Sequence, residues 1–119
     1  MPHDIAVIGA GIMGSAISTR LLERGHRLNV FDLDTAKLEK LAALGAKPAT
    51  SPAAATEAAS FVILSLNHAD IVDAAVFGPN GVAHAAKPEK LLIDMSSIDP
   101  EATKSLASDA AERGLMNAL

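Results

Sequence analysis

Between Asp4 and Asp32 the chain reads DIAVIGAGIMGSAISTRLLERGHRLNVFD, and this stretch limits what the rest can become. An apolar run, Ile5 to Ile8, stops at Gly9, and Gly11 and Gly14 complete a G-x-G-x-x-G pattern. Met13, Ile17 and Leu21 follow at a spacing of four, the period of one helix face, until Gly25 ends the pattern. A second apolar run then closes on Asp32, 23 residues beyond Gly9. Strand, glycine turn, helix, strand and acid, in that order, predict a β-α-β unit with parallel strands.

Each part of the unit has a physical reason. Gly9 permits a tight turn out of the strand. Gly11 has no Cβ, so a pyrophosphate can approach the backbone. Gly14 lets the helix lie close to the strand. The helix begins at this turn, so its free N–H groups and positive dipole end face a phosphate. Asp32 can accept hydrogen bonds from the ribose diol of an adenosine. It would repel a 2′-phosphate, because like unit charges about 4 Å apart cost roughly 4 kcal/mol at an effective dielectric near 20. The stretch therefore predicts a dinucleotide site that prefers NAD to NADP. A glycine-rich turn with a surface aspartate would account for the glycines alone, but not for the whole unit.

Further along, the pattern repeats. Strand one is expected at about 4–9, helix A at 12–24 and strand two at 28–32. Asp34 is a plausible N-cap for a helix over 35–44, with Gly45 just past its end. A short third strand is expected near 46–49. Ser51-Pro52 reads as an N-cap followed by proline at the first helical position, opening an alanine-rich helix to about 59. Phe61 to Leu66 is nearly continuous apolar sequence, as in a strand buried on both faces. A helix over 69–77 breaks at Gly78-Pro79-Asn80-Gly81, and strand five is expected at 91–95. Asp99-Pro100 opens a helix over 100–113, and 115–119 begins a sixth strand. Alternating strands and helices predict an α/β Rossmann fold, a doubly wound parallel sheet of order 3-2-1-4-5-6. Its ligand would lie across the carboxyl ends of the strands, at the loops 9–13, 32–34, 66–70 and 95–97.

Composition narrows the alternatives. The chain has 119 residues, enough for one domain with a real core, and half of them are hydrophobic. A net charge of −4, with no run of Lys or Arg, argues against a nucleic-acid or anionic-membrane surface. Three Phe with no Trp or Tyr leave no base-stacking platform. No cysteine is present, which excludes disulfides and thiolate metal sites. No apolar stretch has the length of a membrane span or a signal sequence, so a cytoplasmic protein is expected.

The motifs also resemble a known family. GAGIMG at Gly9–Gly14 resembles the G-x-G-x-M-G of the β-hydroxyacid dehydrogenases, which include 3-hydroxyisobutyrate dehydrogenase, tartronate semialdehyde reductase and the 6-phosphogluconate dehydrogenases. DMSSIDP at Asp94–Pro100 is similar to their D-x-S-[ST]-x-x-P segment, which generic dinucleotide domains lack. The resemblance runs the length of the chain with matching spacing. It implies that Gly9, Ala10, Gly11, Ile12, Met13 and Gly14 hold pyrophosphate and that Asp32 holds the adenosine ribose. It further implies that Leu66 and Asn67 pass beside the cofactor and that Ser97 meets it near the nicotinamide. Two departures stand out: the family's usual Leu-Pro is Leu66-Asn67 here, and an asparagine further along is replaced by Ile71.

Family members are longer. They continue into a D-A-P-V-S-G-G substrate segment, a catalytic lysine in K-x-x-x-N, and an all-helical domain that dimerises and closes the cleft. Leu119 falls about where the Asp of D-A-P would stand. The resemblance therefore implies a chain truncated before the helical domain, able to bind NAD but without catalysis.

The remaining side chains offer no clear replacement. Hydride transfer to a carbonyl needs a proton donor at the developing alkoxide. Lys37 and Lys40 fall on the adenosine side, and Lys47, Lys87 and Lys90 precede strands on the opposite edge. Lys104, on a first helical turn, reads best as a solvated side chain. His68 is the histidine at a carboxyl end, and as a loop residue it fits without a chemical role. His3, His26 and His84 lack the spacing of a metal site, and Asp32 and Asp34 would need more oxygen partners. Ser96 and Ser97 have no positioned base, and short polar residues ending a strand commonly form turns. No catalytic or metal-binding residue is assigned. Two other readings stay open: a standalone nucleotide-sensing module, and a fragment that self-associates through an exposed interdomain surface.

Overall fold

The computed structural model describes residues 3–85, 90–95 and 116–118. Among the described residues six strands form one sheet: β1 (Asp4–Ile8), β2 (Arg27–Phe31), β3 (Lys47–Pro48), β4 (Phe61–Leu64), β5 (Leu91–Asp94) and β6 (Met116–Ala118). Every pairing is parallel, and the order is β3-β2-β1-β4-β5-β6, as the sequence predicts. Helices α1 (Ile12–Glu23) and α2 (Thr35–Ala43) join the first three strands. Helix α3 (Pro52–Glu57) carries the chain from β3 across to β4, and α4 (Ala69–Phe77) follows β4. A short 3-10 turn at Val82–Ala85 has no counterpart in the sequence reading. The predicted helix over 100–113 and Ser97 lie outside the described residues.

β1 from Ile5 onward and all of β4 are apolar because both faces of the sheet are covered. Ala6 and Ile8 of β1 pack with Val62, Leu64 and Leu92 beneath α3 and α4. Their neighbours Ile5 and Val7 point the other way, to Leu28, Val30 and Ile63, under α1 and α2. Ile8, Leu64, Leu92 and Val7 are wholly buried, each contributing about 1.5–3 kcal/mol by leaving water. The edge strand β3 is only two exposed residues, one of them Pro48, which blunts further pairing on that side.

Local signals set the helix ends. The Asp34 carboxylate accepts from the Ala36 N–H at 3.0 Å, and the Ser51 hydroxyl accepts from the Ala54 N–H at 3.0 Å. Both caps are the ones predicted. At the other end of α3, Lys90 is buried, and its ammonium donates to the carbonyls of Thr56, Glu57 and Ala59 at 2.8, 2.9 and 2.6 Å. A cation on the last carbonyls of a helix satisfies groups that have no partner within the helix.

The amino edge of the sheet carries its own cluster. His3 and His26 stack with ring centroids 5.4 Å apart, and Phe61 meets His3 edge-on. The His3 N–H donates to His26 Nδ1 at 3.0 Å. Arg27 forks onto Asp4 with Nε and Nη2 at 2.7 and 3.0 Å. That edge lies opposite the loops where a ligand is expected.

Candidate cofactor site

The register of the sheet makes the site. Ile8 pairs with Phe31 on one side and with Leu64 on the other. Gly9, Asp32 and Ser65 therefore leave the sheet at one level, on the carboxyl edge of three adjacent strands. Gly9 has a φ of +108°, and a Cβ there would overlap the Ser65 carbonyl oxygen. Only glycine lets these two exits pass each other. A Cβ on Gly14 would overlap the Gly9 carbonyl oxygen, so the first turn of α1 lies directly on the end of β1.

Gly11 differs from both. Its φ is −69°, open to any residue, and no atom lies within 4 Å of where its Cβ would be. The fold itself makes no demand for glycine here. The open space at Gly11 fits a ligand that must touch backbone. Gly11 is also the N-cap of α1, and no side chain caps the helix. In α2 and α3 a side chain does that work. The first N–H groups of α1 are thus left for solvent or an anion, the arrangement that suits a phosphate.

Asp32 stands beside the turn. Its Oδ2 accepts from the Ala10 N–H at 2.7 Å, and its Oδ1 accepts from the Asp34 N–H at 2.8 Å. The Gly9 N–H donates to the Phe31 carbonyl at 2.8 Å. On the other flank, the Ser15 hydroxyl donates to the Ala10 carbonyl at 2.7 Å. Both polar groups of Ala10, which is itself buried, are held. The sequence pattern alone does not single out Ser15. Its signal was a hydroxyl in the first helical turn, within reach of the preceding loop.

The other expected contacts sit around this turn. Ile12 is 96% exposed and Met13 is 53% exposed, both standing out from the first turn of α1. Leu66 is half-buried against the Ala6–Ile8 side of the core. Asn67 is exposed, and His68, also exposed, takes the N-cap position of α4 with no side-chain bond to it. The carboxyl edge thus brings together Gly9–Gly14, Asp32, Leu66 and Asn67. Among the described residues no three His, Asp or Glu are grouped to hold a metal ion, and no helix is long and apolar enough to cross a membrane.

Known proteins resemble this chain in sequence and in fold. Residues 4–118 match the family described as the NAD binding domain of 6-phosphogluconate dehydrogenase. The 3-sulfolactaldehyde reductase of Escherichia coli is 42% identical over 110 residues, covering 92% of this chain and 37% of that protein. The 3-hydroxyisobutyrate dehydrogenase of Pseudomonas aeruginosa is 38% identical over 112 residues, covering 94% of this chain and 38% of that one. The chain thus spans less than two fifths of the length of these relatives. Among solved structures, the imine reductase of Myxococcus stipitatus superposes in its V8 variant with NAD+ at a TM-score of 0.90 and 27% identity, over 98% of this chain and 40% of that chain. An imine reductase of Myxococcus stipitatus in complex with NADP+ gives a TM-score of 0.83 and 29% identity, over 95% of this chain and 38% of that chain. By sequence and by fold, this chain belongs to the family of the NAD binding domain of 6-phosphogluconate dehydrogenase, whose members similar to it include 3-hydroxyisobutyrate dehydrogenase.

Proposed function

We propose that the chain binds NAD(H) along the carboxyl edge of its sheet and serves as the cofactor-binding part of a hydroxy-acid dehydrogenase. The carrying observation is the open backbone at Gly11, over an uncapped helix and next to Asp32. Pyrophosphate lies on the first N–H groups of α1. Asp32 would hold the adenosine ribose diol, and Leu66 and Asn67 would pass beside the cofactor; the family resemblance adds Ser97 at its nicotinamide end. When bound, the cofactor supplies the hydride acceptor or donor. The chain's own residues bind and orient it. The parent reaction interconverts a small β-hydroxy acid and its semialdehyde.

NAD is preferred over NADP because the Asp32 carboxylate meets the position a 2′-phosphate would take. Calorimetric titration of the pure chain with NADH and with NADPH tests this. Saturable NADH binding, with NADPH at least tenfold weaker (about 1.4 kcal/mol), is the expected result. Equal affinities would remove the assigned preference, and no binding of either would remove the site.

Residues 1–119 on their own bind without turnover, since the family's substrate segment and lysine have no counterpart among them. Consumption of NADH by this chain with a short semialdehyde would refute that. The competing reading is a nucleotide-sensing module. Ile71 and Met95 favour the enzyme reading, because both are exposed apolar side chains at the carboxyl edge outside the glycine turn. Such a surface fits an additional domain better than open solvent.

A further inference from the structure

We infer that Asp32 is a positioning residue for the glycine turn as well as the ribose acceptor, and that the unliganded turn itself requires an acid there. The inference rests on the cofactor reading above. Its starting point is that both oxygens of this carboxylate are already engaged by backbone: Oδ2 by the Ala10 N–H at 2.7 Å and Oδ1 by the Asp34 N–H at 2.8 Å. The first bond joins the exit of β1 to the exit of β2. The second fixes the plane of the carboxylate.

Chemistry then selects the side chain. A carboxylate offers two acceptor oxygens, whereas an asparagine offers one oxygen and one NH2. Asparagine at 32 would set a donor against one of the two N–H groups. A carboxylate also has about four lone-pair sites, so two bonds to backbone leave capacity for a ribose diol. Asp32 can therefore take the ribose without releasing Ala10, and the turn meets the cofactor already shaped. Order in place before binding adds to affinity by lowering the cost of ordering the loop.

The contacts around Ala10 point the same way. The Ser15 hydroxyl holds its carbonyl at 2.7 Å, and the Gly9 N–H before it is held by the Phe31 carbonyl at 2.8 Å. The turn is fastened at its shoulder, Gly9–Ala10, while at Gly11 it stays open. Asp32 is the one side chain from β2's exit in that fastening.

Two measurements on the full 119-residue chain test the proposal with Asp32→Ala and Asp32→Asn. The first is amide hydrogen exchange without cofactor. Ala10 is expected to exchange at least tenfold faster in Asp32→Ala, while Val7 and Ile8 stay protected and so report an intact fold. In Asp32→Asn, either Ala10 or the Asp34 amide is expected to speed up. Unchanged exchange at Ala10 in Asp32→Ala, or at both amides in Asp32→Asn, would overturn the clamp, whatever the chain binds.

The second compares NADH with its 2′,3′-dideoxyadenosine analogue. A residue that acts on the diol alone would leave affinity for the analogue unchanged or, with one negative charge gone, improved. A clamp weakens the analogue as well, by at least fivefold in Asp32→Ala. Unweakened analogue binding overturns the proposal. Wild-type protein that binds neither ligand refutes the cofactor reading instead, and leaves the exchange result to decide the clamp.

Discussion

The carbonyl oxygen of Gly9 occupies the space that a Cβ on Gly14 would need. The strand end and the helix start are in direct backbone contact, and no side chain can give way. Gly14→Ala is therefore expected to destabilise the fold by about 1–3 kcal/mol, the usual cost of overpacking. Gly11→Ala meets open space and is expected to change stability by less than about 1 kcal/mol. It should nevertheless weaken NADH at least tenfold, because the added methyl stands where pyrophosphate approaches. Urea denaturation and calorimetric titration of the two variants separate these effects. The same behaviour from both would contradict the division of roles.

Lys90 ends α3 from a distance of more than thirty residues in sequence, with three carbonyls around one ammonium. Lys90→Met keeps much of the aliphatic bulk and leaves those carbonyls without the cation. Hydrogen bonds to charged groups are worth about 1.5–3 kcal/mol, so a loss of about 2–3 kcal/mol is expected. NADH affinity should hold, since Lys90 lies on the opposite edge from the glycine turn. A stability change below about 0.5 kcal/mol, within the range of ordinary surface substitutions, would show the cap to be idle.

Ser18 is fully buried on α1, and its hydroxyl finds no hydrogen-bond partner among the described residues. Removing an unsatisfied buried hydroxyl relieves a desolvation cost, and alanine is also the better helix former. Ser18→Ala is expected to stabilise the chain by about 1 kcal/mol, read as a raised denaturation midpoint. A lowered midpoint would mean that the hydroxyl has a partner in solution.

Asp4 has its pKa lowered from the ordinary aspartate value, first by its hydrogen bond to Arg27 and also by the charge of that guanidinium. A carboxylate lowered in the folded state adds stability above its unfolded pKa and loses it as pH falls through the folded value. The contribution is thus complete near neutrality and disappears in acid below about pH 4. NMR titration of Asp4 should show a midpoint below that of an ordinary aspartate, which returns toward the ordinary value in Arg27→Ala. An unchanged midpoint in the variant would show that the fork has no part in it.

Much of this molecule is written locally. The glycine turn, the apolar strands, and the caps at Asp34 and Ser51 each depend on residues a few positions apart, so spacing alone reveals them. Strand order followed from the alternation of strands and helices, because parallel neighbours need crossover helices of one hand. The family resemblance drew on the same short motifs.

What the sequence could not disclose were bonds between residues distant in the chain. Ala10 and Asp32 meet because Ile8 and Phe31 pair in the sheet, and that register brings both exits to one level. Lys90 gave no sign of burial, since a lysine just before a strand is ordinarily solvated. It is buried because β5 pairs with β4 and brings the end of α3 over it. The unpaired hydroxyl of Ser18 was equally silent in the helical pattern. By itself the sequence determined the elements, their order and the type of ligand edge, because periodicity and capping act over one or two turns. The tertiary structure alone decided which polar groups are satisfied, because that depends on sheet register and on which groups the packed layers seal from water.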